Sequence, residues 1–407
     1  MALSKEMVRQ ILMELVPRHS SAGAVVETDR EAAQVYESLG QVLGHSSELN
    51  LMGLSTLAAL NISQRCGSRQ IYSRACGLFA LVLLLMPLPV VARRYFQHSI
   101  NARPARTEPH DWLMTTEYLA LYSMTVADFE GAEAELLEML EVGRSANNRR
   151  RRLDAMSLLS ITFMCKGDLA RCKKLLAAFE QEVLNEKDPQ VLCWAHLEQA
   201  ELALMRGDAE SALRQVEGCR DLLPTLGPNE RLWGAGLRAL ALWRNSRRDD
   251  ALAAASAAST LLRNPSQIAF YAEGGIFAAA EVYVEALQAT NLTERGSAIA
   301  SDTRLMMLRL RRFGIRLPIS RPRTLMLLGC YELALNHQRQ GISLLRRARE
   351  EAARQRRPYE EALAVVQLAS ASRKVAPEVD EAFRCLREMG AEGLLDYLPD
   401  ARSAPQA

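Results

Sequence analysis

Helix-turn-helix units that recur about every 40 residues constrain this chain more than any other feature: ADFEGAEAELL begins at Ala127, GDLARCKKLL at Gly167, GDAESALRQV at Gly207 and RRDDALAAAS at Arg247. A second set of residues keeps the same period, because Trp112, Leu153, Trp194 and Trp233 each stand near the start of the helix before the turn. Each unit reads as a first helix, a tight turn carrying Gly or Asp, and a second helix with apolar residues at i, i+3, i+4 and i+7. Neither helix of such a pair buries its apolar face alone, so neighbouring pairs must stack into a continuous core.

Backwards, the register takes in MPLPVVARRYF at Met86 and SSELNLMGLSTL at Ser46. Beyond Leu262 it stretches: one long helix is expected over 266–288 and another over 297–313. Tighter pairs resume at 322–336 with 340–355, then 358–372 with 377–389. The β-branched runs are short and never alternate over a strand's length. The expectation is an all-α fold, an α-α superhelix of about nine helix pairs. The 407 residues would allow two or three globular domains, but no long Pro/Gly/Ser-rich linker interrupts the repeat. One body is therefore expected over 28–393, preceded by an N-terminal helix and loop (1–27) and followed by a disordered tail (394–407).

Charge is unevenly spread. The whole chain carries a net +2, which makes no case for nucleic acid, yet 301–360 holds 14 Arg against 5 acids, leaving −7 for the rest. The most apolar run, LFALVLLLMPLPVVA at 78–92, is broken by Pro87 and Pro89 and falls short of the roughly 20 residues a membrane span needs. MALSKEMVRQILMEL is amphipathic and carries acids, unlike a signal peptide. A cytoplasmic protein without membrane contact is expected. The eight cysteines are scattered through helices, as suits reduced thiols. Cys165 and Cys172 would lie roughly 16 Å from Cys193 and His196 at helical rise, too far for four ligands of one zinc.

Chemical signatures are absent. There is no GxxxxGK[ST], no GxGxxG after a strand, and no HExxH, GxSxG or kinase set. Glu360 and Glu361 open a helix, where acids favour the positive dipole end. His196 near Glu198 and Glu201 reads as packing or surface rather than a base. Two stretches stand out. RNPSQIAFYAEGGIFAAAEVYVEAL (263–287) sets Gly274 and Gly275 inside a helical pattern, where each glycine costs about 1 kcal/mol; close helix approach or a ligand against the backbone would account for them. RRFGIRLPISRPRTLMLLGCYELAL (311–335) gathers Arg316, Arg321 and Arg323 around Pro318 and Pro322, either as solvated helix-end caps or as a site for acidic groups.

These two stretches, with VARRYFQHSI, GDLARCKKLL and RRPYEEALAVVQLA, resemble the C-terminal helical-repeat region of large bacterial signalling ATPases of the STAND class, some fused to nucleotide cyclase or protein kinase domains. The likeness runs from about Thr28 to about Met389. It implies a tetratricopeptide-like solenoid that senses or binds, and it carries over no ATPase or cyclase chemistry, since those domains' motifs are missing.

Three functional readings follow. The first is a non-enzymatic module whose first helices line a concave groove for a partner protein or peptide, with an acidic partner favoured by the arginine-rich stretch. Its candidate binding residues are Tyr118, Glu198, Glu201, Arg238, Tyr271, Glu273, Arg321 and Arg323. The second is a small-molecule sensor with a pocket near Gly274 and Gly275, whose effector alters contacts with a separate output protein. The third is an enzyme of unrecognised type, which an enclosed cavity around a perturbed acid would favour. No cofactor or metal is expected. Met7, Ile11 and Leu15 at one end, and Leu394, Leu395 and Tyr397 at the other, are candidate caps or homodimer contacts.

Overall fold

The computed structural model describes Glu6, Gln10 and residues 27–399, except 46–47, 87, 185–186, 264–267, 290–293 and 373–376. The described residues hold eighteen α-helices, a few 3-10 turns and no strand. In chain order they are α1 (Glu27–His45), α2 (Leu49–Cys66), α3 (Arg69–Leu85), α4 (Pro89–Asn101), α5 (Pro109–Thr125), α6 (Phe129–Ser145), α7 (Arg149–Lys166), α8 (Leu169–Val183), α9 (Pro189–Met205) and α10 (Ala209–Gly218). There follow α11 (Pro228–Arg244), α12 (Arg248–Leu261), α13 (Glu273–Gln288), α14 (Glu294–Arg316), α15 (Arg321–Ala334), α16 (Gln338–Arg354), α17 (Pro358–Ser372) and α18 (Pro377–Glu388). Odd and even helices alternate as first and second members of nine pairs. The chain is thus an all-α helical-repeat array, but it divides into two compact units, 1–155 and 156–407, where one body was expected.

In five of the pairs a residue at positive φ reverses the chain between the two helices. Gly167 and Gly207 take φ 72° and 83°, and the following Asp168 and Asp208 accept the backbone N–H of Arg171 and Ser211. Ala127, Ser246 and Asn336 take the same turn at φ 66°, 62° and 63°. Positive φ alone therefore does not demand glycine. Proline opens α4, α5, α9, α11, α17 and α18, where its missing N–H has no helical partner to lose.

Most first helices from α3 onward are buried nearly all round, as in α5, where Trp112, Leu113, Tyr118, Leu119, Tyr122 and Met124 are all inside. Second helices bury one stripe, as in α6 with Phe129, Ala132, Leu136 and Met139 at helical spacing. Outer surface is thus supplied mainly by second helices. The first unit has a core that includes Leu57, Leu60, Phe79, Leu83 and Tyr95, and a buried ion pair in which Arg74 holds Glu37 at 2.8 Å. The apolar 78–92 stretch divides as the two prolines imply, α3 ending at Leu85 and α4 starting at Pro89. No helix among the described residues is long and apolar enough to cross a membrane.

Several boundaries differ from the sequence reading. The long helix expected from residue 266 begins only at Glu273, after a 3-10 turn at Phe270–Ala272, so Gly274 and Gly275 stand in its first turn rather than its interior. The following helix is longer than expected, reaching from Glu294 to Arg316. Packing also continues past residue 393: Glu392–Tyr397 forms a 3-10 helix, and Leu394 is 2% exposed. Leu394 and Tyr397 therefore pack within their own chain. Met7, Ile11 and Leu15, the 17–26 loop and residues 400–407 lie outside the described residues.

Candidate functional site

In the second unit the first helices turn their polar residues inward, and the C-terminal elements close over them. The Tyr359 hydroxyl donates to the Met205 carbonyl at 3.1 Å, and Arg206 Nε donates to the Gly390 carbonyl at 3.2 Å. A Cβ on Gly167 would meet Met389 Sδ at 2.6 Å and Pro358 Cγ at 2.9 Å; one on Gly207 would meet the Gly393 carbonyl carbon at 2.0 Å. This explains why these two turns carry glycine while Ala127, Ser246 and Asn336 manage without it. The groove expected along the first helices is, in this unit, partly covered by these C-terminal elements.

Helix α13 supplies the spine of that interior. Glu273, Phe277, Glu281 and Glu285 follow one another every four residues and share a face. Glu281 accepts from Arg244 Nη2 at 2.8 Å and from Arg323 Nη2 at 3.2 Å, one guanidinium on each carboxylate oxygen. Burial pushes its carboxyl up, but the two arginines overcome this and hold it below the ordinary range. Glu273 accepts from the Ser320 hydroxyl at 2.6 Å, and Glu201 from Trp233 Nε1 at 2.7 Å. Burial raises both carboxyls to about 7. Arg357 pairs with Glu360, both buried. Glu198 takes the hydroxyls of Ser157 and Ser160 and is pushed by burial to about 8.

Two spaces lie among these groups. One, about 420 Å³ of non-protein volume including open solvent, is lined by Cys165, Glu201, Tyr271, Glu273, Arg323 and Glu360 among others. The other, about 600 Å³ on the same measure, lies between Arg244, Glu281, Arg323, Tyr359, Leu363 and Tyr397. Arg323 lines both.

Of the residues singled out from the sequence, Glu201, Tyr271, Glu273 and Arg323 come together at the first space. Glu198 is buried one turn before Glu201. Arg238 is elsewhere, at 2.7 Å from Glu217 of α10 and partly exposed. Arg321 is half-buried at the start of α15, and Tyr118 is buried in the first unit. His196 bonds Gln215 at 2.8 Å. Its neighbours Glu198 and Glu201 face the interior, so the three form no catalytic group. Glu360, read from the sequence as an acid at the positive end of a helix, is 4% exposed and faces Arg357. Glu281, Glu285, Arg244 and Arg357 were not singled out; the i, i+4 spacing from Glu273 was the available signal for the two acids. Gly274 leaves room for Glu201, whose carboxylate oxygens would lie 2.2 Å from an added Cβ. Among the described residues no cluster of three or more His, Cys, Asp or Glu is placed to hold a metal ion.

Neither a protein-family model nor a curated protein sequence matches the chain. Among solved structures, the TPR domain of P58(IPK) is similar at 13% identity, over 88% of this chain and 98% of that domain. The TM-score is 0.23, a likeness too loose to bear on function.

Proposed function

We propose that the chain is a non-enzymatic protein-interaction module whose second unit presents its outer face to an acidic, amphipathic segment of a partner. One observation carries this reading. Helix α14 buries Met306, Met307, Leu310 and Phe313 on one side, and on the opposite side exposes Leu305 (44%) and Leu308 (48%). Arg304, Arg311 and Arg312 share that exposed arc, and α16, the next second helix, exposes Arg339, Arg346 and Arg347. No ion pair holds these six arginines among the described residues. Leucines left in water on a helix with a complete buried stripe, set among unpaired guanidiniums, suit a partner helix with an apolar stripe and acidic flanks.

The resemblance of the 263–287 and 311–335 stretches to repeat regions of signalling ATPases agrees with a regulatory setting. An enzyme is disfavoured because each raised acid of the interior already has a donor or guanidinium partner, and burial pushes up the thiols of Cys165 and Cys330, the cysteines that line the two spaces. Capture of partners from host lysate tests the reading. A stoichiometric partner should be lost on Leu305→Glu/Leu308→Glu and on Arg311→Glu/Arg312→Glu, and kept on Arg214→Glu of α10. Retention by both double variants would overturn it. The sensor reading retains one specific support, the space beside Arg244 and Arg323.

A further inference from the structure

We propose that the space between α11, α13, α15 and α17 is a binding site for a small monocarboxylate, its carboxylate held by Arg244 and Arg323 and its hydrocarbon chain lying against Met326, Leu363 and Leu394. Both guanidiniums line this space. Both are largely removed from water, with side chains 5% and 14% exposed. Each gives one Nη to Glu281, and Arg244 gives its other Nη to the Leu204 carbonyl at 2.8 Å. The Nε–H of each is buried and finds no acceptor among the described residues.

A buried charged donor without an acceptor is costly, and here two such donors belong to arginines that line one space. Glu281 takes one Nη of each guanidinium and leaves both Nε–H groups without an acceptor. Glu285, the second acid lining the space, takes the Trp243 indole N–H and accepts neither Nε–H. The planar guanidinium edge fits a carboxylate better than it fits a spherical anion. Met326, Leu327, Leu363, Leu394 and Leu398 supply the other wall, so the guest must be polar at one end and apolar at the other. Tyr397, whose ring lies 4.9 Å from the Arg244 guanidinium, and Leu394 cover the arginines from the C-terminal side. The guest's carboxylate reaches Arg244 by displacing the Tyr397 ring, while Leu394 stays as part of the apolar wall.

This inference is independent of the outer-face reading, because it concerns other helices and a different ligand. Calorimetric titration of the full chain with hexanoate, hexylammonium and hexanol, equal in carbon count, tests it. Hexanoate should saturate a single site, and the other two should bind at least tenfold more weakly. Arg323→Gln should weaken hexanoate by about tenfold or more, as expected for a lost charge-assisted hydrogen bond. Leu363→Trp, which fills the apolar end and keeps both arginines, should abolish binding and decides the matter if Arg323→Gln does not fold. Arg346→Gln on the outer face should change nothing. Absence of saturable hexanoate binding, equal binding of hexylammonium, or unchanged affinity in Leu363→Trp would overturn the proposal.

Discussion

Replacing Gly236 by alanine tests the tightest helix contact of the second unit. Helices α11 and α13 meet through glycines: a Cβ on Gly236 would stand 1.9 Å from the Gly275 carbonyl oxygen, and one on Gly275 would stand 2.5 Å from Trp233 Cα. Ordinary contact begins at 3.4 Å, so the two backbones must part by about 1.5 Å. No rotamer relieves the clash, since alanine has none and the opposing atoms are main chain. Overpacking of this kind costs about 3 kcal/mol when the neighbour cannot yield. Helix propensity returns about 1 kcal/mol. The net expectation is a loss of about 2 kcal/mol, or a melting point lower by roughly 4–8 °C for a body of this size. Gly143→Ala is the matched control, because its Cβ would lie 3.5 Å from Arg152 in ordinary contact. It should gain roughly 0.5–1 kcal/mol from propensity alone. Thermal and urea unfolding followed by tryptophan emission reads both, Trp233 lying one turn from Gly236. Equal, stabilising effects of the two substitutions would refute the close crossing.

Other consequences concern charge, thiols and caps. Glu198, Glu201 and Glu273 titrate near 8, 7 and 7 when folded, against an ordinary 4.5, so the folded state holds more protons between these limits. Their contribution to stability is present below pH 4.5 and is lost as pH rises through 7 to 8. Glu198→Gln should flatten this decline by about 1.4 kcal/mol per pH unit of its window, measured by urea unfolding at several pH values; a slope equal to that of the unmodified chain would count against the buried assignment. Of the eight cysteines only Cys385 is even partly exposed. A thiol reagent should therefore label about one site per native chain and the rest only on unfolding, with Cys385→Ser removing the native signal. Asp208→Ala removes the acceptor for the Ser211 N–H and should cost about 1 kcal/mol; no change in unfolding midpoint would show that the cap contributes nothing.

The repeat was legible because turn chemistry and periodicity coincide. Gly167-Asp168 and Gly207-Asp208 announce both a left-handed residue and a cap, and the prolines at helix starts mark the same boundaries. Helix α13 was misjudged because its first residues lack a stop signal that distinguishes a 3-10 turn from a helix; the tertiary fit of Phe270 and Tyr271 decides it. The interior was half legible. Gly274 and Gly275 stood out correctly as places of close approach, but no local pattern shows that residues 358–398 return to cover the turns at 167 and 207. That return buries Glu360 and Tyr359, and it partly covers the expected groove. The division into two units was hidden too, since the repeat period runs through residue 155 without a break.

Amide hydrogen exchange on the chain alone and with its captured partner tests the interaction reading most directly. Protection on binding should concentrate in α14, over 301–316, and spread to α16, and it should weaken as salt rises, because exposed arginines are screened. Protection confined to α9, α13 and α17, or to the first unit, would contradict the account.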